Sequence, residues 1–193
     1  EAGSYMAATA ITRGDVLLHN IIPKHLEPIT AKMRAAGCQI DEYDDSLRIR
    51  CDCRLKPLKI KTMPHPGFPT DMQPLMTVLL SVADGTSIVT EGIWENRFRY
   101  VDELIRMGAC IQVDGQVAVI EGVPQLHPAP LRALDLRAGA AMVVAALAAD
   151  GVSEIDETSH IERGYENIVE KLQGLGADIR RVEIPVGRVS RAI

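Results

Sequence analysis

The sequence predicts an α/β fold in which three β-α-β-α-β-β repeats place buried helices inside and sheets outside. Three observations predict it: glycines recur at a fixed spacing, β-rich runs alternate with two kinds of helical segment, and the first helix of each unit is apolar around its circumference. A helix without a polar face has to be buried, so we expect these helices in the middle. The expected lobe is an alpha-beta prism, an inside-out barrel with its sheets on the surface.

The repeat is marked by paired glycines that follow helical segments. The second glycine comes 23, 23 and 25 residues after the first in the pairs Gly14–Gly37, Gly85–Gly108 and Gly151–Gly176. Each is expected where a helix ends and the backbone needs a positive φ. The spacing divides one lobe, residues 1–185, into units of about 1–56, 57–123 and 124–185, with a tail at 186–193. The first unit lacks its opening strand, which suggests a truncated start.

The remaining elements follow from hydrophobic periodicity. Apolar or β-rich runs predict strands at 16–22, 58–63, 86–90, 131–136 and 152–155, and alternation predicts hairpins within 40–49 and 111–119. The inner helices are predicted to bury Met72, Leu75, Met76, Leu79 and Leu80, and most of 138–149. The second helices are predicted to pack through Leu26, Ile29 and Met33, through Phe98, Val101, Leu104 and Ile105, and through Tyr165, Ile168, Val169 and Leu172.

Composition excludes several classes of protein. The chain has 193 residues, 21 Lys and Arg, and 26 Asp and Glu, so its formal charge is −5. That charge, with 4% aromatic residues, argues against a nucleic-acid partner. The longest apolar run, residues 138–149, is too short to span a membrane. Four cysteines (Cys38, Cys51, Cys53 and Cys110) are too few for a disulfide scaffold and show no zinc-site spacing. We expect reduced thiols, a cytoplasmic location and no metal.

Charged residues occupy matched positions in the repeat. Asp71 and Arg137 both lie 14 residues before the first glycine of their units, while Arg97 and Arg163 lie 12 residues after it. An arginine at a helix N-terminus is electrostatically unfavourable unless an anion binds there. The three arginines therefore predict an anion site at one end of the lobe. Ordinary salt bridges, with Glu95, Glu162 or Asp135 as partners, are the competing interpretation.

Asp71 has two interpretations. It follows a rigid, proline-rich turn at 64–69 and directly precedes an apolar helix, where Thr70-Asp71 is a natural N-cap. A carboxylate held on rigid backbone beside an arginine cluster is also placed to act as a general base. The residues alone leave both open.

Five motifs in order resemble the bacterial enolpyruvyl transferases that use UDP-N-acetylglucosamine. They are Pro66-Gly67-Phe68-Pro69-Thr70-Asp71-Met72-Gln73, Glu95-Asn96-Arg97-Phe98, the stretch 102–109, Asp135-Leu136-Arg137-Ala138-Gly139-Ala140, and His160-Ile161-Glu162-Arg163-Gly164-Tyr165-Glu166. Residues 1–6 are similar to the segment that opens the later half of these enzymes. The resemblance covers about residues 1–185, and implies that the chain is roughly the second half of a two-lobed enzyme.

The resemblance implies transfer of the enolpyruvyl group of phosphoenolpyruvate to the 3′-hydroxyl of UDP-N-acetylglucosamine, with release of phosphate, at the start of peptidoglycan synthesis. No metal or organic cofactor is implied. Asp71 would bind or deprotonate the sugar hydroxyl. Thr70 and the backbone of Ile93 would help to hold the nucleotide sugar. Arg97, Arg137 and Arg163 would hold phosphoenolpyruvate and the tetrahedral intermediate.

The resemblance also implies what this chain lacks. In the family, a cysteine on a mobile loop of the other, N-terminal lobe acts as the general acid. None of the four cysteines here lies in such a motif. We therefore expect the chain to carry half of a site and to be inactive alone. The alternatives are the shikimate-pathway enolpyruvyl transferase, an RNA-processing module and a non-catalytic α/β interaction module.

Overall fold

The computed structural model describes residues 1–183 and has the predicted α/β fold. Its helices are α1 (Ala2–Ile11), α2 (Glu27–Ala35), α3 (Gln73–Ser81), α4 (Val101–Arg106), α5 (Leu136–Ala148), α6 (Ser159–Glu162) and α7 (Ile168–Gly174). Its strands are β1 (Asp15–His19), β2 (Gln39–Glu42), β3 (Ser46–Arg50), β4 (Lys59–Lys61), β5 (Thr86–Thr90), β6 (Cys110–Asp114), β7 (Val117–Glu121), β8 (Pro130–Arg132) and β9 (Glu154–Asp156). Short 3-10 turns precede α2 and α3.

Helices α1, α3 and α5 form the centre of the lobe and pack against one another in all three pairs. Met6, Met76 and Met142, one from each helix, are fully buried. Gly139 permits close approach, because a Cβ there would lie 2.6 Å from Cγ1 of Ile161. The prediction of buried inner helices is confirmed. One residue of the outer helices was predicted wrongly, since Ile105 is 47% exposed at the end of the six-residue α4.

The sheets lie outside these helices. The first sheet has the order β1-β3-β2 and the second β4-β5-β7-β6, so the equivalent strands β5-β7-β6 repeat the order of the first unit. Strands β4 and β5 pair in parallel and are connected through α3, and β8 and β9 pair in parallel and are connected through α5. Both predicted hairpins, β2–β3 and β6–β7, are present. These strands make three open sheets rather than a closed barrel within residues 1–183.

The third unit departs from the predicted β-α-β-α-β-β order. After β9 it has two short helices, α6 and α7, and no closing hairpin within the described residues. Its last two residues and the predicted tail at 186–193 lie outside the described residues. The division of the lobe at residues 56 and 123 stays a prediction.

Three outer helices end in the same way. Gly37, Gly108 and Gly176 each follow the C-cap of their helix with positive φ and donate a backbone hydrogen bond back into the last turn. This is the Schellman arrangement, which uses carbonyl groups that the helix end leaves free. Gly85 and Gly151 also have positive φ, but they lie beyond the C-caps of α3 and α5. Gly14 was predicted wrongly, because the left-handed residue there is Arg13, with φ of 56°.

Candidate active site

Two arginines meet one carboxylate where α3 and α5 begin. Asp71 lies in the 3-10 turn Thr70–Met72 that leads into α3, and Arg137 is the second residue of α5. The Nη2 atom of Arg137 donates to Oδ2 of Asp71 at 2.9 Å. The Nη2 atom of Arg97 lies 3.4 Å from Oδ1. Arg97 and Arg137 lie 26 and 66 residues after Asp71 in the sequence, so only the fold brings the three side chains together.

The N-cap interpretation of Asp71 is wrong. The N-cap of α3 is Met72, which has no side-chain capping bond. Pro74, in the first turn of α3, has no N–H, so fewer free donors need a cap there. The carboxylate of Asp71 instead bridges two guanidinium groups.

The salt-bridge partners expected for the arginines are also wrong. Arg97 and Arg137 both pair with Asp71 rather than with Glu95 or Asp135. The carboxylate of Asp135 has another role, since its Oδ1 accepts the backbone N–H of Ala138 at 2.8 Å and caps α5. Because Asp135 is used as the cap of α5, Asp71 is the carboxylate that neutralises Arg137 at the positive N-terminal end of this helix. The hydrogen bond that Arg137 donates to Asp71 raises the pKa of Arg137 above its usual value.

A cavity of about 350 Å³ opens over these groups. Its lining residues are Asp71, Trp94, Arg97, Asp135, Leu136 and Arg137. The lining therefore combines two guanidinium groups and two carboxylates with one aromatic and one aliphatic side chain. Of the lining residues, Trp94 and Leu136 were not predicted to belong to the site, and Asp135 was considered only as a salt-bridge partner.

Arg97 is more enclosed than the other charged groups of the cavity. Its side chain is 20% exposed, and its Nε atom is buried without a hydrogen-bond partner among the described residues. It does not begin a helix, as the spacing predicted, but lies in a turn before α4. A buried donor without a partner is costly, so an oxygen atom from a bound anion would satisfy it.

Arg163 is not brought into this group. It follows α6 in a turn rather than beginning a helix, and it has no ion pair, to Glu162 or otherwise, among residues 1–183. It is exposed and does not line the cavity. The next residue, Gly164, packs against Leu136, because a Cβ there would lie 2.5 Å from Cδ2 of Leu136. The turn that carries Arg163 therefore lies beside the start of α5, while the predicted cluster contains two of its three arginines.

Thr70 and Ile93 are held by a buried carboxylate that the sequence did not reveal. Glu91 is 1% exposed, and its Oε1 accepts bonds from the Thr62 hydroxyl at 2.7 Å, the Ile93 N–H at 2.9 Å and the Trp94 N–H at 3.2 Å. Its Oε2 accepts the Thr70 hydroxyl at 2.9 Å. Glu91 thus ties the loop after β5 to the turn that carries Asp71. A charged residue directly after a buried strand was the available signal.

The described residues were also searched for clusters of metal ligands and for membrane-spanning helices. Among residues 1–183, no three His, Cys, Asp or Glu side chains are grouped as a metal site. No helix within the same range has the length and apolar character needed to cross a membrane.

Comparison with known proteins places the chain in a family. A sequence profile of EPSP synthase (3-phosphoshikimate 1-carboxyvinyltransferase) matches residues 1–172. A UDP-N-acetylglucosamine 1-carboxyvinyltransferase from Desulfofundulus thermocisternus is 56% identical over 94% of this chain and 74% of its own length. The chain belongs to the enolpyruvyl transferase family. A second relative of the same name, from Caldanaerobacter subterraneus, is 55% identical over 94% of this chain and 44% of its own length.

Solved structures agree with this assignment. The enolpyruvyl transferase NikO from Streptomyces tendae superposes with a TM-score of 0.85 at 30% identity, over 93% of this chain and 43% of NikO. EPSP synthase from Acinetobacter baumannii, at 19% identity and a TM-score of 0.59, shares the fold. The chain thus spans less than half the length of most of these enolpyruvyl transferases.

Proposed function

We propose that this chain forms half of the active site of an enzyme that transfers the enolpyruvyl group of phosphoenolpyruvate to the 3′-hydroxyl of UDP-N-acetylglucosamine. The observation that carries the proposal is the bridge of Asp71 between Arg97 and Arg137 at the edge of an open cavity. The names of the relatives support the choice of substrates. The shikimate-pathway enzyme becomes a control in the test below.

The residue types suit the chemistry of each step. The sugar hydroxyl adds to C2 of phosphoenolpyruvate, its proton leaves to a base, and a second proton joins C3 to give a tetrahedral phosphate ketal. Loss of phosphate from C2 and of a proton from C3 then yields the enol ether. Asp71, 57% exposed in its side chain, is the base for the hydroxyl proton. Arg97 and Arg137 stabilise the carboxylate and phosphate of the ligand.

The ion bridge occupies the guanidinium groups that the proposal assigns to the ligand. Asp71 neutralises the two guanidinium groups, so an incoming anion has to displace at least one of its contacts. A ligand with a phosphate and a carboxylate can engage both arginines at once, and the unsatisfied Nε of Arg97 offers a further donor. Displacement of the carboxylate also frees it to accept a proton. Binding of phosphoenolpyruvate therefore prepares the base.

The other predicted site residues have more limited roles in this proposal. The hydroxyl of Thr70 already donates to Glu91, so Thr70 acts by positioning the turn of Asp71. The N–H of Ile93 also donates to Glu91, which leaves its carbonyl as the backbone group for the nucleotide sugar. Arg163, beside the start of α5, joins the ligand when the site closes.

A second lobe completes the site in this proposal. That lobe supplies the cysteine that acts as a general acid and protonates C3, as the family resemblance implies. This chain alone therefore does not convert the substrates. The product then enters peptidoglycan synthesis, with its links to cell shape and division, and the reaction takes place in the cytoplasm. No nucleic acid or membrane participates.

The test uses a chimera in which this chain replaces the matching part of the Caldanaerobacter relative, which is 55% identical to it. The chimera should release phosphate from phosphoenolpyruvate when UDP-N-acetylglucosamine is present, and not when shikimate 3-phosphate replaces it. The chain alone should bind phosphoenolpyruvate in ligand-observed NMR without releasing phosphate. A chimera that folds and binds neither substrate would instead favour a non-catalytic interaction module.

A further inference from the structure

Three of the four cysteines lie at one end of the first sheet, away from the active-site residues. Cys38 directly precedes β2, Cys51 directly follows β3, and Cys53 is two residues further on. All three are free thiols. Cys38 and Cys51 are 5% and 2% exposed, whereas Cys53 is exposed. The mechanism proposed above uses none of them.

The strand register places Cys38 directly opposite Cys51. Strands β2 and β3 are antiparallel, and the last pair of their ladder is Gln39 with Arg50. One step beyond that pair brings Cys38 to face Cys51. The two side chains therefore share one face of the sheet, across neighbouring strands.

The hydrogen-bond phase of the ladder brings this pair close. The N–H of Cys51 donates to the carbonyl of Gly14 at 3.0 Å, on the side of β3 that faces away from β2. Toward β2, Cys38 and Cys51 are thus a non-hydrogen-bonded pair. In such pairs the Cα atoms are about 4.5 Å apart, inside the range of about 4.4–6.8 Å that disulfides span.

Both partners are held in place before any bond forms. Cys38 follows Gly37 in the Schellman ending of α2, where its N–H donates to the carbonyl of Met33 at 3.0 Å. The Cys38 thiol beside Cys51 lowers the pKa of Cys51, despite the opposing effect of burial. The sulfur of Cys51 also lies 3.5 Å from the carbonyl oxygen of Cys53. A thiolate next to a second, fixed thiol is the arrangement from which a disulfide forms.

We propose that Cys38 and Cys51 are a peroxide-sensitive dithiol that closes into a cross-strand disulfide. The Cys51 thiolate attacks one oxygen of hydrogen peroxide, the O–O bond breaks, and Cys51 becomes a sulfenic acid. The sulfur of Cys38 then attacks the Cys51 sulfur, its proton leaves with the hydroxyl, and water departs. In sum, two thiols and one peroxide give one disulfide and two waters.

Closure should make the first unit harder to unfold. The bond would link the end of α2 to the end of β3 and close the chain between residues 38 and 51. A loop of that size predicts a rise in Tm of about 5–10 °C in the oxidised protein. Dithiothreitol should reverse the rise.

The experiment maps the bond after treatment of the chain with one equivalent of hydrogen peroxide and alkylation of the remaining thiols. A protease that cleaves before aspartate separates Cys51 from Cys53, because Asp52 lies between them. Mass spectrometry should then find the peptide of Cys38 joined to the peptide that ends in Cys51, while Cys110 is alkylated. A Cys51–Cys53 bond, or an alkylated Cys38 after Cys51 has been oxidised, would overturn the proposal.

Two variants complete the test. Cys53→Ser should still form the Cys38–Cys51 bond and show the rise in Tm on oxidation. Cys38→Ser should lose both. Because the variant at the buried position could fold poorly, the peptide map of the unmodified protein and the result with Cys53→Ser decide the question without it. An oxidised Cys53→Ser protein without the Cys38–Cys51 bond would refute the proposal.

Discussion

Replacement of Asp71 by asparagine should strengthen anion binding while it removes catalysis. The carboxylate of Asp71 accepts from Arg137 at 2.9 Å and lies 3.4 Å from Arg97. It therefore competes with any anion for both guanidinium groups. Asparagine keeps the shape of the side chain and removes the charge. In the proposed mechanism, the same change removes the base for the sugar hydroxyl.

The structure sets the size of both effects. Asp71 and Arg137 are 57% and 41% exposed, so solvent screens their pairing and its contribution is about 0.3–1 kcal/mol. Phosphoenolpyruvate should then bind about 2–5-fold more tightly to the variant chain. Loss of a general base costs about 100–10,000-fold in turnover, which the chimera would report as phosphate release. The free energy of unfolding should change by no more than about 1 kcal/mol.

The matched control is Asp15→Asn. Asp15 also accepts two bonds from one arginine, Arg48, at 2.8 and 2.6 Å, but it lies on β1 outside the cavity. This variant should leave both phosphoenolpyruvate affinity and turnover within about twofold of the unmodified protein. If Asp71→Asn weakens binding of phosphoenolpyruvate, or keeps turnover within a few-fold, the assignment of Asp71 as a base that competes with the anion is wrong.

Four further predictions test individual parts of the molecule. Arg163→Ala should leave phosphoenolpyruvate binding to the isolated chain within about twofold but raise KM for it in the chimera; a fall in affinity in the chain would place Arg163 in the open cavity. Glu91→Gln should lower the free energy of unfolding by about 1–3 kcal/mol in urea denaturation, because donors around a buried acceptor lose a partner, whereas the exposed Glu95→Gln should not. Burial raises the pKa of Tyr5 from 10.0 to about 12, so the contribution of the neutral phenol to stability is complete below pH 10 and is lost as the pH rises toward 12. Tyr5→Phe should remove about 2–3 kcal/mol of this alkaline loss of unfolding free energy. An alkaline slope of stability that is unchanged in the variant would contradict the prediction. Gly139→Ala should cost about 1–3 kcal/mol by thermal denaturation, since its Cβ would lie 2.6 Å from a side chain of α6, and a neutral result would show that α6 moves freely.

Periodicity predicted the parts of the fold that depend on local signals. The inner helices could be identified because burial on all sides leaves no polar face in the sequence, as the buried Met72–Leu80 segment shows. The hairpin β6–β7 follows from alternation on either side of Gly115, which takes a positive φ in the two-residue loop. Repeat spacing also aligned Asp71 with Arg137, and these two side chains are in contact.

Local signals misled wherever a distant side chain competes with them. Asp71 has the sequence context of an N-cap, but two cations from distant positions bind its carboxylate instead. Arg163 holds the same repeat position as Arg97, yet the turn of Arg163 has the short helix α6 before it and α7 after it, whereas the turn of Arg97 has only α4 after it, so the turn differs. Glu91 was missed because its four partners come from three separate segments, and only the tertiary structure assembles them.

Glu91 and Asp71 are two carboxylates of neighbouring segments, and their surroundings explain why they differ in role. Glu91 is 1% exposed, and hydroxyl and amide donors of its own unit occupy its oxygens. A carboxylate engaged in that way holds a loop and has no open face from which to take a proton. Asp71 is 57% exposed, and its partners are cations that an anionic ligand also attracts. In the proposed mechanism, binding of such a ligand weakens the contacts of Asp71 and leaves those of Glu91 intact. Asp71 then becomes available as a base, while Glu91 keeps its structural contacts.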